Sequence, residues 1–228
     1  MKSLRRGLAP YWLALLFAAH SLALLVVLHG RLPDIMPLVW NSAGEVLYGI
    51  NKPLGAALLP GLHLAIVLFL VVAPAVDPGA LRSSTAPRFY PTAVAMISAF
   101  LMYVTAVVFA AALGVELRVP HALLGGGGVL LALVGNYMGK VPRNYMVGIR
   151  TPWTLSSDLV WERTHRFAAP LFVTGGMGLL LHCIVQRESP STAFVVAILT
   201  ITFGAPFCHS YLVWRRSAPD TVGDTVAP

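Results

Sequence analysis

Six apolar runs dominate this chain: residues 11–28, 54–76, 91–113, 121–138, 167–185 and 192–214. A bilayer core takes about 20 mostly apolar residues per helix, so each run is long enough to span it. None holds Asp, Glu, Lys or Arg before its final residues. The rest of the 228 residues cannot coat a soluble core, because only 16 Lys+Arg and 9 Asp+Glu are present and 57% of the chain is apolar. Average domains are about 25% charged. An ordinary soluble enzyme, a disordered chain and a secreted disulfide scaffold are excluded. The chain reads as an all-α polytopic membrane protein with six transmembrane helices. Turns are expected at Lys52-Pro53, Asp77-Pro78-Gly79, Tyr90-Pro91, Val119-Pro120 and Ser189-Pro190.

The basic residues orient it. Lys2, Arg5, Arg6, Arg82, Arg88, Lys140, Arg143, Arg150, Arg163, Arg166, Arg215 and Arg216 fall on one side, 12 of the 16. Arg31, Lys52, Arg118 and Arg187 fall on the other. By the positive-inside rule both termini are expected to be cytoplasmic. The first run follows Lys2, Arg5 and Arg6 as a signal peptide would, but it exceeds a cleavable apolar region of about 7–15 residues and reads as a retained anchor. Residues 217–228 read as a disordered tail. Cys183 and Cys208 fall at different depths and are expected to remain unpaired.

The spans carry little chemistry. His20, His63, His182 and His209 stand singly, with no His-x-x-x-His or His-Glu spacing for a metal and no carboxylate pair. Each is expected to hydrogen-bond a neighbouring hydroxyl or backbone group. No metal and no cofactor is expected. Gly125–Gly128 suggest local irregularity in the fourth span, and Gly135-x-x-x-Gly139 a close helix approach. The glycine run lacks the Gly-Lys-Ser/Thr ending of a phosphate loop.

Two loops stand out. The outer loop, residues 30–53, is rich in turn formers around Pro33, Pro37, Trp40, Asn41 and Gly44. It is expected to fold back on the helix ends as a lid, with Trp40 and Tyr48 serving either as interfacial anchors or as a recognition surface. The inner loop, residues 135–166, is punctuated by Gly139, Pro142, Gly148 and Pro152, so its first half cannot be one helix. Its second half can, with Ser156 as N-cap, Asp158 at the positive end of the dipole, and Glu162 and Arg166 spaced i,i+4. Trp161 and His165 then share a face. Asn136, Asn144, Thr151, Thr154 and Thr164 need partners if buried, which suggests an internally bonded plug. Contact with anionic lipid fits its basic excess. Direct nucleic-acid binding is not expected from so short a loop.

The motif Gly135-Asn136-Tyr137-Met138-Gly139-Lys140, then Asn144, Gly148-Ile149-Arg150-Thr151-Pro152-Trp153-Thr154-Leu155, Trp161 and Thr164-His165-Arg166 resembles the signature of the SdpI family, bacterial membrane proteins named for an immunity protein. Leu32-Pro33-Asp34, Pro37, Trp40-Asn41, Gly44 and Lys52 are similar to the small N-terminal membrane domain that often precedes it. That domain commonly has a His and a Gly-x-Pro where this chain has Val39 and Val46, so a role resting on that His does not transfer. The resemblance divides the chain into a two-helix domain at 1–90 and a four-helix domain at 91–216. It implies a non-enzymatic immunity or signal-receptor protein. Its partners would be membrane lipids, a secreted peptide toxin outside and a repressor protein inside. The residues leave two alternatives open. One is a transporter or exporter in which His20, His63 and His182 converge on a polar cavity. The other is a membrane enzyme with His165 as base.

Overall fold

The computed structural model describes residues 8–76, 86–186 and 188–217. Its long helices are α1 (Trp12–Leu28), α2 (Lys52–Val76), α3 (Ala86–Ala112), α4 (Val119–Met138), α6 (Asp158–Val185) and α7 (Thr192–Ser217), with a five-residue α5 at Pro152–Ser156. The six long helices coincide with the six apolar runs, and each is long and apolar enough to cross a membrane. Lys2, Arg5, Arg6, Arg82 and Arg187, the turn at Asp77-Pro78-Gly79 and nearly all of the 217–228 tail lie outside the described residues.

Three prolines expected to mark turns sit inside helices or at their starts. Pro53 and Pro120 occupy the second positions of α2 and α4, where a missing N–H costs nothing because the first helical donors have no intrahelical partner. Pro91 lies inside α3, which begins earlier at Ala86. The four-glycine run is not irregular: α4 is helical throughout from Val119 to Met138. Packing explains why. Gly128 and Gly135, two turns apart, let α4 lie directly against α6. A Cβ on Gly128 would fall 2.7 Å from the Gly176 carbonyl, and one on Gly135 would fall 2.7 Å from Val173 N. The Gly135/Gly139 pair does not make this contact, since Gly139 meets only the Ala169 methyl at an ordinary 3.7 Å. The tight pairing is Gly128 with Gly176, which spacing within one helix cannot reveal.

The outer loop is regular where a turn-rich lid was expected. β1 (Ile35–Trp40) and β2 (Val46–Asn51) form an antiparallel hairpin, with Met36 opposite Ile50 and Trp40 opposite Val46. Both segments are rich in β-branched and aromatic residues, which suit a pleated strand. The turn between them is closed by Asn41, whose Oδ1 accepts the Glu45 N–H at 2.9 Å and whose Nδ2 donates to the Glu45 carboxylate at 2.7 Å. Gly44 takes the left-handed conformation there, φ +90°. The hairpin docks through Met36 and Trp40 onto the apolar ends of α1, α2 and α3, around Ala56, Val108 and Phe109.

At mid-height α1, α2 and α3 are tied by one polar cluster. His63 bridges Ser21 and Ser98, each at 2.7 Å, and Ser98 donates to Ala14 O at 2.8 Å. Because the Ser98 proton is spent on Ala14, its oxygen accepts from His63 Nε2–H, and Nδ1 accepts from Ser21. His182 accepts the Ser191 N–H at 2.8 Å, and His20 bonds the Leu16 carbonyl of its own helix. His209 departs from the expected hydrogen bond: it stacks on Phe167, and its buried Nδ1 has no partner among the described residues. The histidines are separate, each with its own local contacts. Cys183 and Cys208 are unpaired.

Candidate functional site

The residues between α4 and α6 fold into a plug across one end of the bundle. Its first turn is organised by buried Asn144. The Asn144 side chain donates to the carbonyls of Pro142 (2.8 Å) and Val147 (3.0 Å), and its oxygen accepts from the N–H groups of Met146 (2.8 Å) and Val147 (2.7 Å). Both protons and both lone pairs are used. Asn144→Ala is expected to destabilise the protein by about 2–3 kcal/mol, because buried backbone groups lose their partners. Thermal unfolding of the purified protein checks this; a loss below the effect of an exposed Arg166→Ala control would show that water replaces the side chain.

The next element is α5, which the sequence reading did not separate from α6. Pro152 begins it, Thr151 caps it, and the two threonines close a reciprocal capping box: Thr151 Oγ1 accepts from Thr154 N (3.1 Å), and Thr151 N donates to Thr154 Oγ1 (2.8 Å). The Thr154 hydroxyl donates to Ile149 O (2.8 Å), and Thr151 Oγ1 lies 3.4 Å from Ser210 Oγ on α7. Trp153 stands edge-on to Phe207, Tyr211 and Trp214 of α7, at 5.7, 5.5 and 6.2 Å. Those three recur at three- and four-residue spacing, a signal that marks the receiving face of α7.

Ser157, not Ser156, is the N-cap of α6, accepting from Val160 N at 3.4 Å. The chain must be extended at the cap, and Ser156 is already the last residue of α5. Arg143 reaches across to this start, bonding Asp158 (2.7 Å) and the Leu155 carbonyl (2.7 Å). Glu162 and Arg166 pair as their spacing implies, at 2.7 Å.

Trp161 and His165 stack at 4.0 Å, both buried. Trp161 Nε1 donates to Val141 O (2.8 Å), so the indole pins the start of the loop. His165 lies near the middle of the plug. Its Nε2 accepts the Ile149 N–H at 3.0 Å, so Nδ1 carries the proton and donates to Trp161 O at 2.8 Å. Gly148 passes directly over this pair with φ +122°, and a Cβ there would sit 2.5 Å from His165 Nε2.

The structure thus brings Asn144, Gly148, Arg150, Thr151, Pro152, Trp153, Thr154, Trp161 and His165 into one body. Arg150 is exposed and donates to Tyr145 O at 2.7 Å. Thr164 is buried, but its hydroxyl has no partner among the described residues, and Asn136 is exposed on α4, outside the plug. Tyr137 packs beside Phe89 and under the Lys140 ammonium, while Gly139 ends α4. The outer-loop residues Pro37, Trp40, Asn41 and Gly44 build the β1–β2 hairpin, separate from the plug, with Pro33 leading into it. Sequence reasoning missed Met146 and Val147, which pack against α1–α3 around Tyr11, Val67 and Tyr90 and so lock the plug to the other half of the bundle.

No catalytic arrangement emerges among these side chains, since both nitrogens of His165 are engaged by backbone groups. The transporter alternative needs a polar cavity shared by three histidines. The groove between α3 and α4, about 650 Å³, is lined mostly by apolar residues such as Phe100, Val129 and Leu133, with Thr92, Tyr103 and His121 among them, and none of His20, His63 and His182 lines it.

Residues 140–210 match the family model described as the SdpI/YfhL protein family. The chain is also similar to "Immunity protein SdpI" of Bacillus subtilis (strain 168), with 23% identity over 174 residues, covering 76% of this chain and 81% of that relative. No solved structure matches the chain. Through the plug, α6 and most of α7, this multi-pass cell-membrane protein resembles the SdpI/YfhL protein family.

Proposed function

We propose that this protein is a non-enzymatic membrane immunity protein, in which the β1–β2 hairpin meets a peptide toxin outside the cell and the plug docks a regulator inside. The observation that carries the reading is the similarity to "Immunity protein SdpI" over most of both chains. The asymmetry of basic residues supports a cytoplasmic plug and an external hairpin. The hairpin exposes Ile35, Val39, Val46, Leu47 and Tyr48 beside the helix ends, an apolar patch in the place where a hydrophobic peptide would arrive. Apart from Trp153 Nε1 and Thr164 Oγ1, which have no partner among the described residues, the buried polar groups of the plug are taken up by its own backbone and side chains, which suits a rigid docking face rather than a reaction centre. Tyr145 and Arg163 are exposed upon it.

The test is protection. A sensitive bacterium expressing the chain is challenged with cationic or hydrophobic peptide toxins, including any encoded beside its own gene. Protection is expected, and Leu47→Asp combined with Tyr48→Ala should reduce it at least roughly tenfold at unchanged protein level, because both side chains are exposed. Equal sensitivity with and without the chain, for every peptide, overturns the immunity reading. Full protection by the double variant removes the hairpin from it.

A further inference from the structure

Beyond immunity, one surface of the plug has the chemistry of a ligand site. A groove of about 750 Å³ runs between the end of α2 and the plug, walled by Leu68, Phe69, Val72 and Ala73 on one side and by Met146 and Arg150 on the other. Phe69 is 70% exposed and Val72 54%, so α2 leaves this face uncovered. The membrane-crossing part of α2 extends to Pro74, which puts the groove in the last two turns of the span. That is the depth at which acyl chains give way to headgroups.

Arg150 is the one charged residue lining the groove among the described residues. Its guanidinium is oriented by the bond from Nη1 to Tyr145 O, and among the described residues it has no carboxylate partner. A guanidinium has five N–H donors in a planar fork that matches a phosphate. One of its nitrogens is held by backbone here, and no partner among the described residues takes the others. Met146 is anchored in the apolar cluster of α1–α3, so the wall beside Arg150 is fixed. An apolar trough in a lipid-facing helix, ending at headgroup depth in a positioned cation that has no carboxylate partner among the described residues, is complementary to an anionic amphiphile.

We propose that this groove binds an anionic phospholipid, its phosphate on Arg150 and an acyl chain along Leu68, Phe69 and Val72. Because Arg150 directly precedes the Thr151 cap, an occupied site would hold α5 and the plug to α2.

The full chain is tested in nanodiscs of phosphatidylcholine alone and of phosphatidylcholine doped with phosphatidylglycerol. Native mass spectrometry reads the lipid retained, and thermal unfolding reads the plug. The wild type is expected to retain phosphatidylglycerol over phosphatidylcholine and to gain thermal stability from it. Arg150→Gln should weaken that preference about fivefold, as expected for one basic group at a lipid surface, with Arg150→Lys retaining part of it. Arg215→Gln, an exposed cation at the same end of the bundle, should leave it unchanged. Inorganic phosphate should not compete. The proposal is overturned if Arg150→Gln keeps the full preference, if Arg215→Gln loses as much, or if phosphate alone displaces the lipid. Should Arg150→Gln fail to fold, Val72→Trp fills the groove with Arg150 intact. It should show the same loss, and an undiminished preference in that variant overturns the site.

Discussion

Gly148→Ala is expected to destabilise the protein by about 3 kcal/mol, the upper range for strain at a single backbone position. Two effects combine. The residue sits at φ +122°, where a Cβ is strained whatever the space. That Cβ would also lie 2.5 Å from His165 Nε2 and 2.9 Å from the Trp161 ring. Neither ring is free to retreat, because each is tied to the backbone, Trp161 to Val141 O and His165 to Trp161 O. Relief would require breaking the Ile149 N–H bond to His165, which places the following Arg150 and Thr151. Thermal unfolding in detergent measures the cost. The steric part is separable by a double-mutant cycle with His165→Ala, whose smaller side chain should make the second substitution less costly than in the native background. A Gly148→Ala protein as stable as the wild type would mean that the loop crosses these rings at a distance the geometry does not allow.

Gly176→Val should cost at least as much, for a different reason. α4 and α6 touch backbone to backbone, and a side chain at 176 would enter the Gly128 carbonyl and come within 2.6 Å of Ala132 N. A helix axis cannot move locally, so the whole pair must separate and give up packing along its length. In a membrane that loss is severe, because no hydrophobic effect drives the helices back together and close van der Waals contact carries the association. About 3 kcal/mol or more is expected. Gly127→Ala is the control. Its neighbour position opens to empty space, so alanine should be neutral or stabilising by up to about 1 kcal/mol through helix propensity. Equal behaviour of the two variants would remove the α4–α6 contact from the energetics of the fold.

The plug was partly legible before the structure. Gly139, Pro142, Gly148 and Pro152 break helices through their own backbone chemistry, and the need of Asn144, Thr151 and Thr154 for partners follows from burial alone. The i,i+4 spacing of Trp161 and His165 places them on one face, where they stack. The N-cap was misplaced by one residue because Ser156 and Ser157 are equivalent as side chains, and only the chain's turn between α5 and α6 distinguishes them. The hairpin was missed for another reason. Pro33, Pro37, Asn41, Gly44 and Gly49 dominate a reading by turn formers, whereas the strands between them are stabilised by docking on α1–α3, a contact distant in sequence.

What the sequence determined by itself is the number of spans and the concentration of polar chemistry in two loops. Lipid is a uniform apolar solvent, so run length and the cost of charge decide these locally, residue by residue. Partners were decided only by tertiary structure: His63 with Ser21 and Ser98, Gly128 with Gly176, Thr151 with Ser210, and Trp153 with the aromatic face of α7. Inside a bilayer every face of a helix is apolar, so hydrophobic periodicity does not say which face meets which neighbour. Small residues and single hydroxyls make that choice, and they act only when the helices are already side by side.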